Sequence, residues 1–441
     1  MHKMSKEIVC FSGSPKEVGK TIGKICGESI KKQIKRIMRA KGWTTENITP
    51  TVKKAEKIQK RFNPDWVEEI YAIAQELNIP FVDVMSMTLL HSHCTPWMAI
   101  GNVTATGESI VAGSIDSPGP ASVHIKNVNG TYKYISAGRC IFNGPPLFLN
   151  EKGVGMTTSF SGEELYGMKV EDIGLSSIYI ARKAAETATC CEDVLEIFKQ
   201  VEKDKLYHRE LGSIYHFADK DKGLLVELNA FDFNYKFIKN DVLISPDSNF
   251  WLPAKASFYT EPKNKIMCFS RYFRVAEMLG EERGEITAQL FKKISRDMVY
   301  PQKVKYARPM CWKKTTVSFI AVIPKKNPEI FATAWVTAGR PNYTHFIPFP
   351  LGIDGILTNF VSTEVAGITE KLYNKYGVSN KFVPRFLSSE SEMDEALKNE
   401  FKKAKILLKK GNSKQIKKNL TEFCLRNCQK SYEIVKCLSL I

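Results

Sequence analysis

The sequence lacks any hydrophobic run long enough to cross a membrane, and its cysteines form no Cys-x-x-Cys pairs. No stretch approaches the roughly 20 apolar residues that a membrane-spanning helix needs, and residues 1–20 contain no apolar core of the signal-peptide kind. The eleven cysteines form no Cys-x-x-Cys motif, which argues against a disulfide framework. These absences predict a cytoplasmic protein with reduced thiols and no stable membrane insertion.

Internal repeats, low-complexity tracts, zinc fingers and RNA-binding motifs are also absent. The net charge of +17 would suit nucleic acid, but residues 1–61 carry +11 and residues 371–441 carry +9, which leaves −3 for residues 62–370. In both ends the lysines alternate with apolar residues at helical spacing, as expected for solvated faces of amphipathic helices. We therefore predict no nucleic-acid partner, while weak attraction to anionic surfaces stays open.

What the chain does have is enough apolar material for a large core, with 43% hydrophobic and 25% charged residues in 441. Apolar residues at helical spacing predict helices in residues 1–93. One of these helices begins at Asn63-Pro64 and ends before Pro80. From residue 371 onward only helices are predicted. These boundaries divide the chain into a helical N-terminal segment and candidate propeptide (1–93), a central domain (94–370) and a basic helical C-terminal extension (371–441).

The central domain alternates short strand patterns with helical ones. A hairpin connection is predicted at residues 218–223, and helices are predicted at about 173–202 and 271–296. This order predicts an α+β fold with two sheets layered against helices. The predicted strands are 110–115, 132–136, 154–160, 214–218, 224–228, 235–238, 242–244, 316–323 and 330–337.

Cys94-Thr95 opens an alternating apolar segment about 90 residues into the chain, where an internally released N-terminal nucleophile would lie. Cleavage between His93 and Cys94 would free an α-amino group with a pKa near 8. That amine could take the proton from the thiol without a distant histidine. The tetrahedral intermediate would need oxyanion donors, and a carboxylate would orient the new ammonium group.

Four further segments follow in order: Ala-Gly-Ser-Ile-Asp at 112–116, Asn-Glu-Lys-Gly-Val at 150–154, Ser-Asn-Phe at 248–250 and Ser-Arg-Tyr-Phe-Arg at 270–274. Together with Cys94-Thr95, they resemble the N-terminal-nucleophile (Ntn) hydrolases of the isopenicillin-N acyltransferase and choloylglycine hydrolase (penicillin V acylase) type. The resemblance implies a four-layer αββα sandwich. It also implies an acyl-enzyme on Cys94, formed by attack on the C–N amide bond of a small N-acyl compound.

The resemblance assigns roles to individual residues. Asp116 matches the aspartate that holds the free amine, Asn249 matches an oxyanion donor, and Arg271 matches the arginine beside the nucleophile. The chain departs from the family pattern where Ser114 replaces an arginine and where Ser159 stands near a frequent asparagine. A substrate pocket suited to an apolar or aromatic acyl group is expected at Trp97, Ser159, Phe250 and Trp251.

The resemblance implies no cofactor, a small-molecule amide or acyl donor as partner, and either water or a second nucleophile as acyl acceptor. A homo-oligomer is compatible with the sequence. Other interpretations of the same residues stay open: Cys94 as a buried structural thiol, Asp116 as a turn residue, and Arg271 in a surface ion pair. The His91-x-His93-Cys94 run has ligand atoms for zinc but no second ligand cluster, so we predict no metal site.

Two other classes of function also remain. An uncleaved, non-catalytic member of the fold would keep the full-length chain. A basic surface-binding protein would act through its two charged ends, and its binding would not need Cys94.

Overall fold

A computed structural model of the chain describes residues 8–89, 93–117, 119–139, 144–164, 174–206, 211–228, 233–246, 262–299, 305 and 307–440. The helices are α1 (Pro15–Lys41), α2 (Thr45–Phe62), α3 (Pro64–Leu77), α4 (Phe81–Ser86), α5 (Ser177–Thr187), α6 (Cys191–Lys203), α7 (Pro262–Glu281), α8 (Ala288–Ser295), α9 (Pro328–Phe331), α10 (Thr358–Val361), α11 (Glu364–Tyr376), α12 (Val383–Lys409) and α13 (Ser413–Leu438). The strands are β1 (Ile8–Val9), β2 (Phe11–Gly13), β3 (His93–Ile100), β4 (Ser109–Asp116), β5 (Ser122–Val128), β6 (Tyr134–Gly138), β7 (Leu147–Asn150), β8 (Gly155–Glu164), β9 (Leu211–Ala218), β10 (Gly223–Leu228), β11 (Phe233–Ile238), β12 (Asp241–Ile244), β13 (Thr315–Ile323), β14 (Thr333–Thr337), β15 (Phe346–Pro350) and β16 (Ile356–Leu357).

The strands form two large sheets, so the predicted α+β class is confirmed. One sheet has the order β11-β10-β9-β8-β7-β6-β5-β2, and the other has the order β12-β3-β4-β13-β14-β15. Neighbouring strands are antiparallel except for the parallel pair of β2 and β5. The predicted hairpin at 218–223 is confirmed by the pairing of Ala218 with Gly223.

The two sheets approach each other closely where β4 crosses β8. A Cβ atom on Gly113 would lie only 3.0 Å from the Cβ atom of Thr157, and the Thr157 hydroxyl donates to the Ala112 carbonyl at 3.1 Å. Contacts also join β8 to β3 and β13. Glycine at position 113 therefore lets the backbone of one sheet lie against side chains of the other.

Successive side chains of β3 point to opposite faces of the sheet and so contact two different parts of the core. Cys94 and Met98 belong to the main hydrophobic cluster. Trp97 and Ala99 belong to a second cluster, which includes Val275 of α7 and Phe291 of α8, together with other residues of both helices. The six-stranded sheet thus presents one face to the main core and the opposite face to helices α7 and α8.

The N-terminal helices pack tightly because α1 carries glycines at the contact with α3. A Cβ atom on Gly19 would lie 2.3 Å from the Glu69 carbonyl oxygen, and one on Gly23 would lie 2.8 Å from the Glu76 side chain. The predicted helix start at Asn63-Pro64 is confirmed, with the Asn63 side chain accepting from the Asp65 backbone N–H. Side-chain acceptance of this kind satisfies an otherwise unpaired donor at the helix start.

Some predicted elements differ from the structure. The strands β1 and β2 were not expected in the N-terminal segment, and β1 pairs with β16 near the other end of the chain. The predicted strand at 330–337 begins only at Thr333, because α9 starts at Pro328, where proline favours the first turn of a helix. From residue 371 to 440 helices are the regular elements, as predicted. Within the described ranges, every helix is too short or too polar to cross a bilayer.

Candidate active site

Cys94 lies near the start of β3, at an end of the sheet where β4 finishes. In the antiparallel register His93 pairs with Asp116, Cys94 with Ile115 and Thr95 with Ser114. Asp116 also pairs with Thr315, the first residue of β13. The ends of three adjacent strands therefore place Asp116 directly across from the residue that precedes Cys94.

The Cys94 backbone is held by a hydroxyl from the other sheet. Cys94 is fully buried, and its backbone N–H donates to Ser159 Oγ of β8 at 3.2 Å. The Ser159 hydroxyl in turn donates to the Cys94 carbonyl oxygen at 2.5 Å. Sequence reasoning placed Ser159 at the substrate pocket, and the structure places it against the backbone of the candidate nucleophile.

Asp116 and Arg271 form a buried ion pair beside Thr95, the residue that follows Cys94. Arg271 Nη1 donates to Asp116 Oδ2 at 2.5 Å and to Thr95 Oγ1 at 2.7 Å. The Thr315 hydroxyl donates to the second carboxylate oxygen, Asp116 Oδ1, at 2.6 Å. Both charged side chains are 2% exposed, so the pair is shielded from solvent and the surface ion-pair interpretation of Arg271 does not fit.

The two groups of side chains lie on opposite faces of the six-stranded sheet. Thr95 points away from the Cys94 side chain because successive residues of a strand alternate, and Asp116 and Arg271 lie with Thr95. In the intact chain, Asp116 thus has Arg271 and Thr315 as partners, while the Cys94 N–H has Ser159. In the strand register Asp116 pairs with His93, the residue before the candidate cleavage bond.

The structure brings together some of the predicted site residues and not others. The Trp97 side chain lies on the helix-facing side of the sheet, with its ring 6.0 Å from that of Phe291. This is the face of Thr95 and Asp116, opposite to the Cys94 side chain. Asn249, Phe250 and Trp251 lie outside the described residues.

Sequence reasoning missed several partners of this site. Thr315 supports Asp116, and the Ser114 hydroxyl pairs with that of Ser318 at 2.6 Å. The Trp312 ring lies 5.5 Å from the Arg271 guanidinium and 4.1 Å from that of Arg308. No local motif marks Thr315, Ser318 and Trp312, because they come from β13 and the loop before it, about 200 positions after Asp116.

His216 is a further polar residue on the inner side of the sheets. It pairs with Thr157 across β9 and β8, and its Nε2 lies 2.7 Å from Ser245 Oγ. The Ser245 backbone N–H donates to the Pro96 carbonyl at 3.1 Å. Burial lowers the pKa of His216 to about 3, so its imidazole is neutral at pH 7.

His216 and His345 are expected to make the fold acid-sensitive. Burial lowers the pKa of His345 to about 4. Because both folded-state pKa values lie below the unfolded value near 6.5, the unfolded chain takes up protons first, and stability falls as the pH falls below about 6.5. Below pH 6.5, each histidine lowers the free energy of unfolding by about 1.4 kcal/mol per pH unit. At pH 5 the two together lower it by about 4 kcal/mol. Urea unfolding at pH 7 and pH 5, compared with the same measurement on a protein that lacks both imidazoles, measures this contribution.

A His216→Gln/His345→Gln protein serves as the control for that experiment. It should lose less stability between pH 7 and pH 5 than the unchanged chain does. Equal free energies of unfolding at the two pH values in the unchanged chain would show that these imidazoles are not buried as neutral groups.

Within the described residues, no group of three or more His, Cys, Asp or Glu side chains is arranged to hold a metal ion. The described cysteines are free thiols. The polar groups around Cys94 are instead hydroxyls and one buried ion pair, which are groups that can orient a nucleophile and move a proton.

Known structures with similarity to this chain include amide hydrolases. The Caenorhabditis elegans ortholog of N-acylethanolamine-hydrolyzing acid amidase is 14% identical, with 52% of this chain and 92% of that chain covered and a TM-score of 0.35. A mutant form of conjugated bile acid hydrolase from Clostridium perfringens is 13% identical (55% and 88% covered, TM-score 0.35). Penicillin V acylase from Agrobacterium tumefaciens is 11% identical (55% and 82% covered, TM-score 0.36).

No family model and no curated protein sequence matches the chain. We therefore derive the chemistry of the site from its own residues.

Proposed function

We propose that this protein is an autoprocessing cysteine Ntn amidohydrolase or acyltransferase. It acts on the C–N amide bond of a small N-acyl compound through an acyl-enzyme on Cys94. The observation that supports this most is the set of contacts around one peptide bond. Ser159 Oγ accepts from the N–H of Cys94 at 3.2 Å. Asp116 pairs with His93 in the strand register and forms a buried ion pair with Arg271.

Processing would begin with attack by the Cys94 thiol on the carbonyl carbon of His93. The C–N bond breaks, the His93 acyl group passes to sulfur, and the Cys94 nitrogen leaves as an amine. Ser159 is hydrogen-bonded to that nitrogen and can relay to it the proton that the thiol loses. Water then hydrolyses the thioester, which releases the carboxylate of His93 and regenerates the thiol.

In the processed protein the new α-amino group takes the role of base. Its ordinary pKa near 8 allows it to accept the thiol proton at neutral pH. The Cys94 thiolate attacks the substrate carbonyl, and the protonated amine then donates to the leaving nitrogen. Ser159 holds this amine on the inner side of the sheet, while Asp116, fixed by Arg271 and Thr315, supplies negative charge nearby. We propose Asn249 as the oxyanion donor.

We extend the proposal to the architecture and setting of the enzyme. Residues 1–93 form the propeptide, 94–370 the four-layer αββα catalytic domain and 371–441 the C-terminal extension. Support for the layers comes from the contacts of β3 and β4 with β8, and of α8 with β4 and β13. The free thiols favour a cytoplasmic setting.

Intact mass and N-terminal sequencing of the purified protein test this function. We expect a fragment of 348 residues (441 less 93) that begins at Cys94. Only when Cys94 is the first residue can its own α-amino group act as the base for its thiol. A single 49.9 kDa chain in active preparations would rule out processing and favour an uncleaved mechanism.

A further inference from the structure

A large apolar pocket lies under the C-terminal extension. Its volume is about 960 Å³, within the range of sites that hold small molecules. It is formed by the loop before β4, the start of α8, the far ends of β13 and β14, and one side of α12. All of these lining residues belong to the described part of the chain.

The floor of the pocket is aromatic and aliphatic. Phe331, Trp335 and Leu397 are buried side chains that line it, and Phe401 and Leu408 of α12 continue the surface. Leu397, Phe401 and Leu408 recur at helical spacing, so one stripe of α12 faces the pocket. Such a surface suits a hydrocarbon chain.

The rim of the pocket is positively charged, in contrast to its apolar floor. It carries four lysines: Lys326, Lys398, Lys405 and Lys409. The three from α12 are spaced by seven and four residues and therefore share one side of the helix. Among the described residues, no carboxylate lies within ion-pair distance of Lys326, Lys405 or Lys409. The rim is thus a cluster of cations beside apolar surface.

Two acidic residues, Glu108 and Asp394, also line the pocket. Asp394 is paired with the buried Lys292 at 3.0 Å, and the Lys292 ammonium lies 3.4 Å from the Trp335 ring centroid. Burial raises the pKa of the Glu108 carboxyl. Lys398 lies 3.9 Å from the Glu395 carboxylate, so Lys326, Lys405 and Lys409 are the rim lysines without an ion-pair partner among the described residues.

We propose that this pocket binds a single-chain anionic amphiphile, with the hydrocarbon tail on the Phe331–Trp335–Leu397 floor and a carboxylate or phosphate head at the rim lysines. This site is separate from the candidate active site. Val322 lies in the pocket and Thr315, beside Asp116, lies seven residues away along β13, which is about 23 Å in an extended strand.

Calorimetric titration with dodecanoate, below its micelle-forming concentration, tests the proposal. We expect one saturable site per chain, affinity that weakens with added salt because the charges are near the surface, and much weaker binding of dodecanol. Dodecyl phosphate is titrated in parallel to distinguish the two head groups. The Cys94→Ala protein should bind equally well, so this test is independent of the proposed catalytic function.

Two double variants of α12, with the same charge change inside and outside the pocket, test where dodecanoate binds. Lys405→Glu/Lys409→Glu should weaken dodecanoate binding about tenfold. Lys402→Glu/Lys403→Glu makes the same charge change on the same helix outside the pocket, and should leave the affinity within about twofold. Absence of saturable binding, equal affinity for dodecanol, or equal losses in both variants would overturn the proposal. So would binding to anionic vesicles without binding of monomeric dodecanoate.

Discussion

Cys94→Ala should abolish both processing and amide hydrolysis. Loss of a catalytic nucleophile lowers turnover by about a thousandfold or more, and here the same atom also cuts the chain. The variant should remain one 49.9 kDa polypeptide. Mass spectrometry measures the processing, and release of 4-nitroaniline from a panel of N-acyl-4-nitroanilides measures the hydrolysis.

Labelling by iodoacetamide distinguishes this cysteine from the other thiols. Cys428 offers a matched control, because it is a buried thiol whose pKa burial raises well above the ordinary value. Cys428→Ala should process and react normally, and the protein without Cys94 should lose its fastest-labelling site. Unchanged hydrolysis in the Cys94→Ala protein would eliminate the proposed mechanism, even if the chain were found to be cut.

Glu69→Ala should destabilise the protein by about 3–5 kcal/mol, because it leaves buried cations without their partner. Glu69 of α3 is completely buried and bonds Lys126 Nζ at 2.5 Å and Arg182 Nη2 at 2.7 Å. Arg182 also contacts Glu186 at 2.6 Å, and Glu186 accepts from the Trp66 indole at 2.8 Å. The network joins the N-terminal segment to β5 and α5.

The pKa shifts within this network agree with a dependence of Lys126 and Arg182 on the buried carboxylates. Burial, with repulsion from Arg182, lowers the pKa of Lys126 to about 8 despite the attraction of Glu69. Burial also acts to lower the pKa of Arg182, but the Glu186 and Glu69 carboxylates raise it overall. Removing Glu69 therefore removes the charge that makes burial of both cations tolerable.

Urea unfolding of the Glu69→Ala protein measures this loss, and Glu68→Ala is the matched control because Glu68 is exposed on the same helix. Glu68→Ala should stay within about 0.5 kcal/mol of the unchanged protein. A Glu69→Leu/Lys126→Met protein should be more stable than Glu69→Ala, since it removes a cation together with its partner. Equal stability of Glu69→Ala and Glu68→Ala would show that the network does not hold the segment.

If processing occurs, the same network has a second consequence. The released segment 1–93 should remain bound, because its departure would expose Lys126 and Arg182 and remove Glu69 from between them. Gel filtration of processed protein should show both fragments in one peak. Elution of residues 94–441 alone would contradict this expectation.

The sequence predicted Cys94, Asp116 and Arg271 as members of one site because each lies in a short motif of recognisable order. The structure pairs Asp116 with Arg271 on the helix-facing side of the sheet, with Thr95 and opposite to the Cys94 side chain. The Trp97 ring lies on that same side, near Phe291. Proximity in sequence to a nucleophile does not determine which face of the sheet a side chain occupies.

By itself, the sequence determined the α+β class, the helix that begins at Asn63-Pro64, many strands of the central domain and the helical C-terminal extension. Hydrophobic periodicity and capping residues determine these because they act over a few neighbouring positions. Only the tertiary structure decided that Ser159 binds the Cys94 backbone, that Thr315 supports Asp116, and that Glu69 lies between two cations. Those contacts join residues 57 to 199 positions apart. They depend on sheet register and helix packing, which no local pattern encodes.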